Sequence, residues 1–198
     1  MPTQDDQTQE RKNQILEAAM RVFARSGFDK ARMDDIVEES GLSKGTLYWY
    51  FESKDDIITS ILENMFDQEL AHLNELQGEG SAADRIMAFT QQSIADLDEM
   101  RWLIPLVFEF YARALRQENV QEVLRKYLHA YLEILTPMIQ SGIDLGEFQP
   151  LEAQEVAVEI LAIFEGTLLL SVFDPGIINL EKDIELGTSK LLDGLRAR

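Results

Sequence analysis

The chain has 198 residues, 45% of them hydrophobic and 27% charged, with no cysteine and a formal net charge of −18. That length and apolar fraction supply one or two globular cores and argue against disorder. The lack of cysteine excludes disulfides, thiol redox sensing, thiolate metal sites and cysteine nucleophiles, and fits a reducing compartment.

The opening MPTQDDQTQERKN has neither the basic start nor the apolar stretch of a signal peptide. Ile15, Ala18, Ala19, Val22 and Phe23 recur at helical spacing and predict a first helix from about Gln9 to Ser26, stopped by Gly27. Met33 to Ser40 reads as a short second helix with Ile36 and Val37 inward, and Gly41 sits where the chain must reverse. Ser43 is placed to cap a third helix whose inner side is Leu47 and Phe51. Ser53 and Asp56 form a capping box that opens a fourth, Lys54 to about Leu76. After the break QGEGSA, amphipathic helices are expected near 82–97, 101–116, 118–145, 152–173 and 180–197, with Pro137 kinking the third of these. The longest apolar tract, Ile160 to Phe173, is interrupted by Glu165 and falls short of the ~20 residues that span a bilayer. A soluble, cytoplasmic, all-α protein with no membrane partner is therefore expected.

Two short helices joined by a glycine-containing turn, after a longer one, describe a helix-turn-helix. With Leu47 and Phe51 turned inward, Lys44, Gly45, Thr46, Tyr48, Trp49 and Tyr50 surround the rest of the third helix. A helix so short cannot bury three rings and a lysine on every side. Its outward cation, bare glycine backbone and hydroxyl suit phosphate oxygens and base edges in a major groove.

The run ILEAAMRVFARSGFDKARMDDIVEESGLSKGTLYWYFESKDDI, residues 15 to 57, resembles the DNA-binding region of the TetR family of transcriptional regulators. Beyond residue 82 the helical layout, GEF at 146–148 and FDPG at 173–176 are similar to that family's ligand-binding and dimerisation domain, especially the choline-responsive repressors. The resemblance implies a DNA-binding domain over 1–53, a ligand-binding and dimerisation domain over 54–198, and double-stranded DNA, a small-molecule effector and a second copy of the chain as partners. By matching position it implies that Ser43, Lys44, Gly45 and Thr46 meet bases and phosphates. Tyr48, Trp49 and Tyr50 would touch backbone or thymine methyls, and Lys54 would hold a phosphate. Tyr50 can equally pack against the first helix, because its ring is amphipathic. The family's usual threonine or serine before the second helix is replaced by Ala31 and Arg32. Arg32 can compensate through a phosphate contact, and Asp35 can accept from the helix start.

The acidity conflicts with DNA binding until its distribution is read. Residues 11–54 hold eight Lys or Arg against seven Asp or Glu, a net of +1, whereas residues 55–198 carry −16. Weak non-specific affinity and a steep salt dependence are expected.

One short reading helix is too small to find a single site in a genome, so a two-fold dimer on a palindrome is the physical expectation. Val156, Ile160, Phe164, Leu168 and Val172, with Ile184, Leu191 and Leu195, form stripes that can make a four-helix interface, aided by Gly166 and Gly187; the same stripes can face their own core. Candidates for an effector pocket are Met65, Phe66, Met87, Phe89, Trp102, Phe108, Glu109, Tyr111, Tyr127 and Tyr131. Glu109 between two phenylalanines and Glu165 in the apolar tract are expensive to bury unless paired, either by a cationic or amphipathic ligand or by an arginine or a helix end. Ligand would act by population shift through the fourth helix, and DNA and ligand would weaken each other reciprocally. His72 and His129 stand alone, and no metalloprotease, nucleophile-elbow or phosphate-loop motif occurs, so no enzyme, metal or cofactor is expected. The rival reading is an all-helical carrier of small molecules whose helix-turn-helix serves protein contacts.

Overall fold

The computed structural model describes residues 4–75 and 80–197. Among them the chain is helical throughout: α1 (Gln4–Ser26), α2 (Met33–Ser40), α3 (Lys44–Tyr50), α4 (Lys54–Glu75), α5 (Ala82–Glu99), a 3-10 turn (Arg101–Leu103), α6 (Ile104–Ala114), α7 (Glu118–Asp144), α8 (Ala153–Phe173) and α9 (Leu180–Leu195). The break expected at 77–82 lies outside the described residues in its first three positions, as does the side chain of His72.

Local signals set the boundaries. Ser43 Oγ accepts from Thr46 N at 3.1 Å and starts α3. Ser53 and Asp56 exchange side-chain to backbone bonds at 3.2 and 3.0 Å, the reciprocal cap that opens α4. Gly27, Gly41 and Gly146 end α1, α2 and α7 in the left-handed region, which side chains avoid. Pro105 lies in the first turn of α6, where its missing N–H has no helical partner to lose. α7 runs without interruption through Pro137, which is exposed.

Two compact units form. The first contains the chain through Asp67 together with Met100–Arg125, so it extends past residue 53 and includes α6. Its core joins Ile15, Ala18, Ala19, Val22 and Phe23 of α1 to Ile36, Leu47, Phe51, Ile57, Ile61, Leu106 and Phe110, all of them buried. Burying side chains of this size stabilises by ~1.5–3 kcal/mol each, which holds a helix of seven residues that could not persist alone.

The second unit contains Gln68–Glu99 and the chain from Lys126 onward. Its core is built by Phe89, Tyr131, Leu135, Ile139, Phe148, Ala157 and Ile160. The GEF turn closes it. Glu147 reaches back to α5 and accepts from Ala82 N at 2.7 Å and Ala83 N at 2.9 Å, so its carboxylate caps a helix start 65 residues away. Phe148 lies against Gly142, where a Cβ would come within 2.5 Å of its ring. α8 is, among the described residues, the one helix long and apolar enough by composition to cross a bilayer. It packs Ala153, Val156, Ala157, Ile160 and Leu161 into this core, buries Leu168 as well, and leaves Val158, Leu169, Leu170, Val172 and Phe173 exposed.

Candidate nucleic-acid interface

Only Leu47 of α3 is buried. The cap therefore fixes the helix start, and the buried leucine turns Lys44, Gly45, Tyr48 and Trp49 outward. Trp49 is 72% exposed and Tyr48 is 42% exposed, whereas isolated large rings normally seek cover. Lys44 and Gly45 are exposed as well, and a Cβ on Gly45 would meet nothing closer than Ser43 Oγ at 3.9 Å. The opening of α3 is thus open ground for close approach. Thr46 is half-buried, its Oγ1 sharing a hydrogen bond with Ser43 Oγ at 2.8 Å. Tyr50 packs on the first core while meeting Trp49 edge-on at 4.6 Å between ring centroids.

Carboxylates of α2 engage the neighbouring cations. Lys44 Nζ donates to Asp34 Oδ1 at 2.6 Å, and this contact holds the ammonium above the usual lysine range. Glu39 accepts from Arg21 Nε at 2.9 Å and Arg25 Nη1 at 3.1 Å, which lowers its carboxyl pKa. Ahead of α2, Asp35 accepts from Arg32 N at 2.8 Å, so a carboxylate does the capping expected of the absent threonine and the Arg32 guanidinium remains exposed.

Lys54 does something other than the sequence implied. Its ammonium donates to Phe28 O and Ala31 O, both at 2.7 Å, and lies 4.6 Å from the centre of the Phe28 ring. With Asp29 O at 3.4 Å as well, its three protons point into the α1–α2 loop rather than toward a phosphate. Arg113 of α6 covers the same ring at 3.7 Å and bridges Asp29 at 3.1 Å and Asp55 at 2.9 Å. Two cations therefore clasp Phe28 and fix the loop that leads into the reading helices.

The expected interface stripe needs correction. Ile160, Leu168 and Ile184 are buried within their own subunit, Leu191 and Leu195 pack partly against the second core, Phe164 is half-buried, and only Val172 is exposed. Residues four apart advance 400° around a helix, so a stripe from Val156 to Val172 drifts by about 160° and rotates from core to surface. Gly187 is an intrasubunit contact, since a Cβ there would lie 2.8 Å from Ile163 Cγ2, whereas Gly166 faces open space. The face that remains uncovered is Val158, Leu169, Leu170, Val172 and Phe173, with Ile177 and Leu186 beyond it.

The pocket candidates divide between the units. Met65 and Phe66 pack on the first core, Phe108 meets Tyr111 edge-on at 5.8 Å, Glu109 is half-buried, and Trp102 is 51% exposed. In the second unit Phe89, Tyr131 and Tyr127 form a chain of rings with centroids 4.9 and 5.7 Å apart, flanked by Met87. Tyr127 Oη donates to Glu69 at 2.8 Å, and Tyr131 Oη shares a hydrogen bond with Ser93 at 3.0 Å. Burial and then the Glu69 charge push both phenols well above the ordinary tyrosine value. Sequence reasoning missed Glu69, Ser93, Asp34 and Arg113, since none carries a local signal of its partner.

A capped reading helix with its rings and cation outward, seated on two supporting helices, defines a helix-turn-helix DNA-binding protein. Residues 15–61 match the bacterial regulatory proteins of the tetR family, and residues 82–195 match the C-terminal domain of BetI-type transcriptional repressors. The chain belongs to the TetR family, whose members are ligand-responsive transcriptional regulators. Among its relatives is the HTH-type transcriptional regulator YfiR of Bacillus subtilis, 36% identical over 143 residues, which are 72% of this chain and 70% of that one. The fatty acid metabolism regulator protein of the same organism is 28% identical over 78% of each chain. Solved structures share the fold. A TetR transcription regulator from Haloarcula marismortui superposes with a TM-score of 0.84 at 19% identity, covering 95% of this chain and 99% of that one. A regulator from Saccharomonospora viridis in complex with choline gives 0.80 at 20% identity, covering 96% and 100%. FadR from Bacillus subtilis in complex with stearoyl-CoA gives 0.78 at 22% identity, covering 92% and 98%.

Proposed function

We propose that this regulator is a homodimeric repressor that sets α3 of each copy into successive major grooves of a palindromic operator and is released by a small amphipathic or apolar molecule. The observation that carries it is the outward placement of Lys44, Tyr48 and Trp49 on a helix whose one fully buried side chain is Leu47. Lys44 and the exposed Arg32 supply phosphate contacts. Ser43 joins them through its hydroxyl, Gly45 admits the backbone, and Thr46, Tyr48 and Trp49 meet base edges and thymine methyls, with the outer edge of Tyr50 on the sugar-phosphate chain.

Dimerisation uses the uncovered apolar face of α8 and α9. Leu169, Leu170, Val172 and Phe173 are four large apolar side chains left exposed within the last five residues of α8, a concentration that marks an interaction surface. The apolar and aromatic residues of the body, together with similarity to regulators solved with stearoyl-CoA and with choline, support an effector with a hydrocarbon portion.

The test is a mobility shift with the intergenic DNA upstream of the protein's own gene. Retention of that duplex over a scrambled one is expected, with Lys44→Ala weakening both and Thr46 changes altering the preference. Leu169→Arg with Phe173→Arg should yield monomers in sedimentation and abolish retention of the operator. A protein with no preference among duplexes would be the helical carrier instead.

A further inference from the structure

Lys44 is not a free cation waiting for DNA. Asp34, one helix earlier and ten residues back, holds its ammonium at 2.6 Å, and both side chains are more than half exposed. The cap of α2 comes from Asp35, so Asp34 is not needed there. Its carboxylate accepts from Lys44 Nζ in the way a phosphate oxygen does. The acidic screen is repeated nearby, where Glu39 takes up both Arg21 and Arg25.

We infer that Asp34 is an internal competitor for Lys44: a carboxylate that stands in for phosphate in the free protein and must be displaced before the reading helix grips a duplex. This rests on the DNA-binding role proposed for Lys44 and goes beyond it by assigning a residue that sets how tightly the head holds any DNA. Displacement does not remove the charge. Asp34 stays on α2 beside the phosphate that replaces it. Like charges about 6 Å apart, in a medium between water and protein, change an equilibrium constant about three- to tenfold. Both heads of a dimer contribute, so the factor multiplies. Low affinity for bulk DNA follows, and it keeps the repressor exchangeable.

The experiment measures binding of a 40-base-pair duplex of arbitrary sequence by fluorescence anisotropy at 50 mM and 500 mM salt. Wild type is compared with Asp34→Asn, Asp34→Ser and Glu63→Gln, the last removing the same charge from an exposed site on α4. Both Asp34 variants should bind at least threefold more tightly at 50 mM, with the gain shrinking at 500 mM as screening shortens to about 3 Å near 1 M. Glu63→Gln should change affinity by less than twofold. Repeating Asp34→Asn on a Lys44→Ala background should give a clearly smaller gain, because the competition needs the lysine. Three results would overturn the inference: no gain from either Asp34 variant, an equal gain from Glu63→Gln, or an undiminished gain without Lys44. If neither wild type nor any variant binds a duplex at 50 mM salt, the DNA-binding role of the head itself fails and this inference falls with it.

Discussion

Replacing Lys54 by Met separates two uses of one cation. The methionine keeps most of the apolar stem but removes an ammonium bonded to Phe28 O and Ala31 O at 2.7 Å and stacked over the Phe28 ring. Hydrogen bonds from a charged donor contribute ~1.5–3 kcal/mol each. The two carbonyls are only part-buried, so water recovers some of that, and the low end applies to both. Adding ~0.5 kcal/mol for the ring contact and subtracting the rehydration gives a loss of roughly 2–3 kcal/mol. In a chain of this length, ~2–4 °C per kcal/mol converts that to a thermal midpoint lower by ~4–12 °C. The assay is a melt followed by circular dichroism, paired with DNA affinity across a salt series. A clamp predicts the stability loss with an unchanged salt slope. If the midpoint does not move and the slope instead falls by about one per head, Lys54 holds a phosphate and the clamp is wrong.

Glu147→Gln removes the charge from a carboxylate that accepts from Ala82 N and Ala83 N, and should cost ~1–2 kcal/mol in urea unfolding while leaving helix content unchanged. Gly142→Ala drives a methyl to 2.5 Å from the Phe148 ring and 2.7 Å from Ala82 Cβ. A loss of ~1–3 kcal/mol is expected, despite alanine's better helix propensity, and Phe148→Leu in the same chain should recover part of it. For Tyr127 and Tyr131 the folded state raises a pKa that is near 10.0 when unfolded. Their contribution is complete below pH 10 and is lost as pH rises through the higher folded value, because the unfolded chain ionises first. Urea midpoints should fall steeply above pH 10, with tyrosinate absorbance rising together with unfolding, and Tyr127→Phe should shallow that fall.

The helix boundaries were legible because their causes are local. Ser43, the Ser53 and Asp56 pair, and glycines at 27, 41 and 146 each act within four residues of themselves. The outward set on α3 was legible for a similar reason, since a seven-residue helix with one buried leucine leaves few alternatives. What stayed hidden was pairing across long separations. Lys54 binds carbonyls 23 to 26 residues away, Arg113 reaches Asp29 across 84, and Glu147 caps α5 across 64 and 65. A charge in a sequence announces itself without naming its partner. The α8 stripe failed differently: on a helix apolar around most of its circumference, spacing by four picks a line that winds from core to surface.

Because α3 buries one side chain fully and the clasp around Phe28 holds the loop ahead of α2 from outside it, the base contacts proposed above and the integrity of the head fall to different residues. Tyr48 and Trp49, exposed on α3, are therefore free to change at little thermodynamic penalty. Retargeting to a new operator is open to a few substitutions on one exposed surface, whether by drift after gene duplication or by a designer's hand.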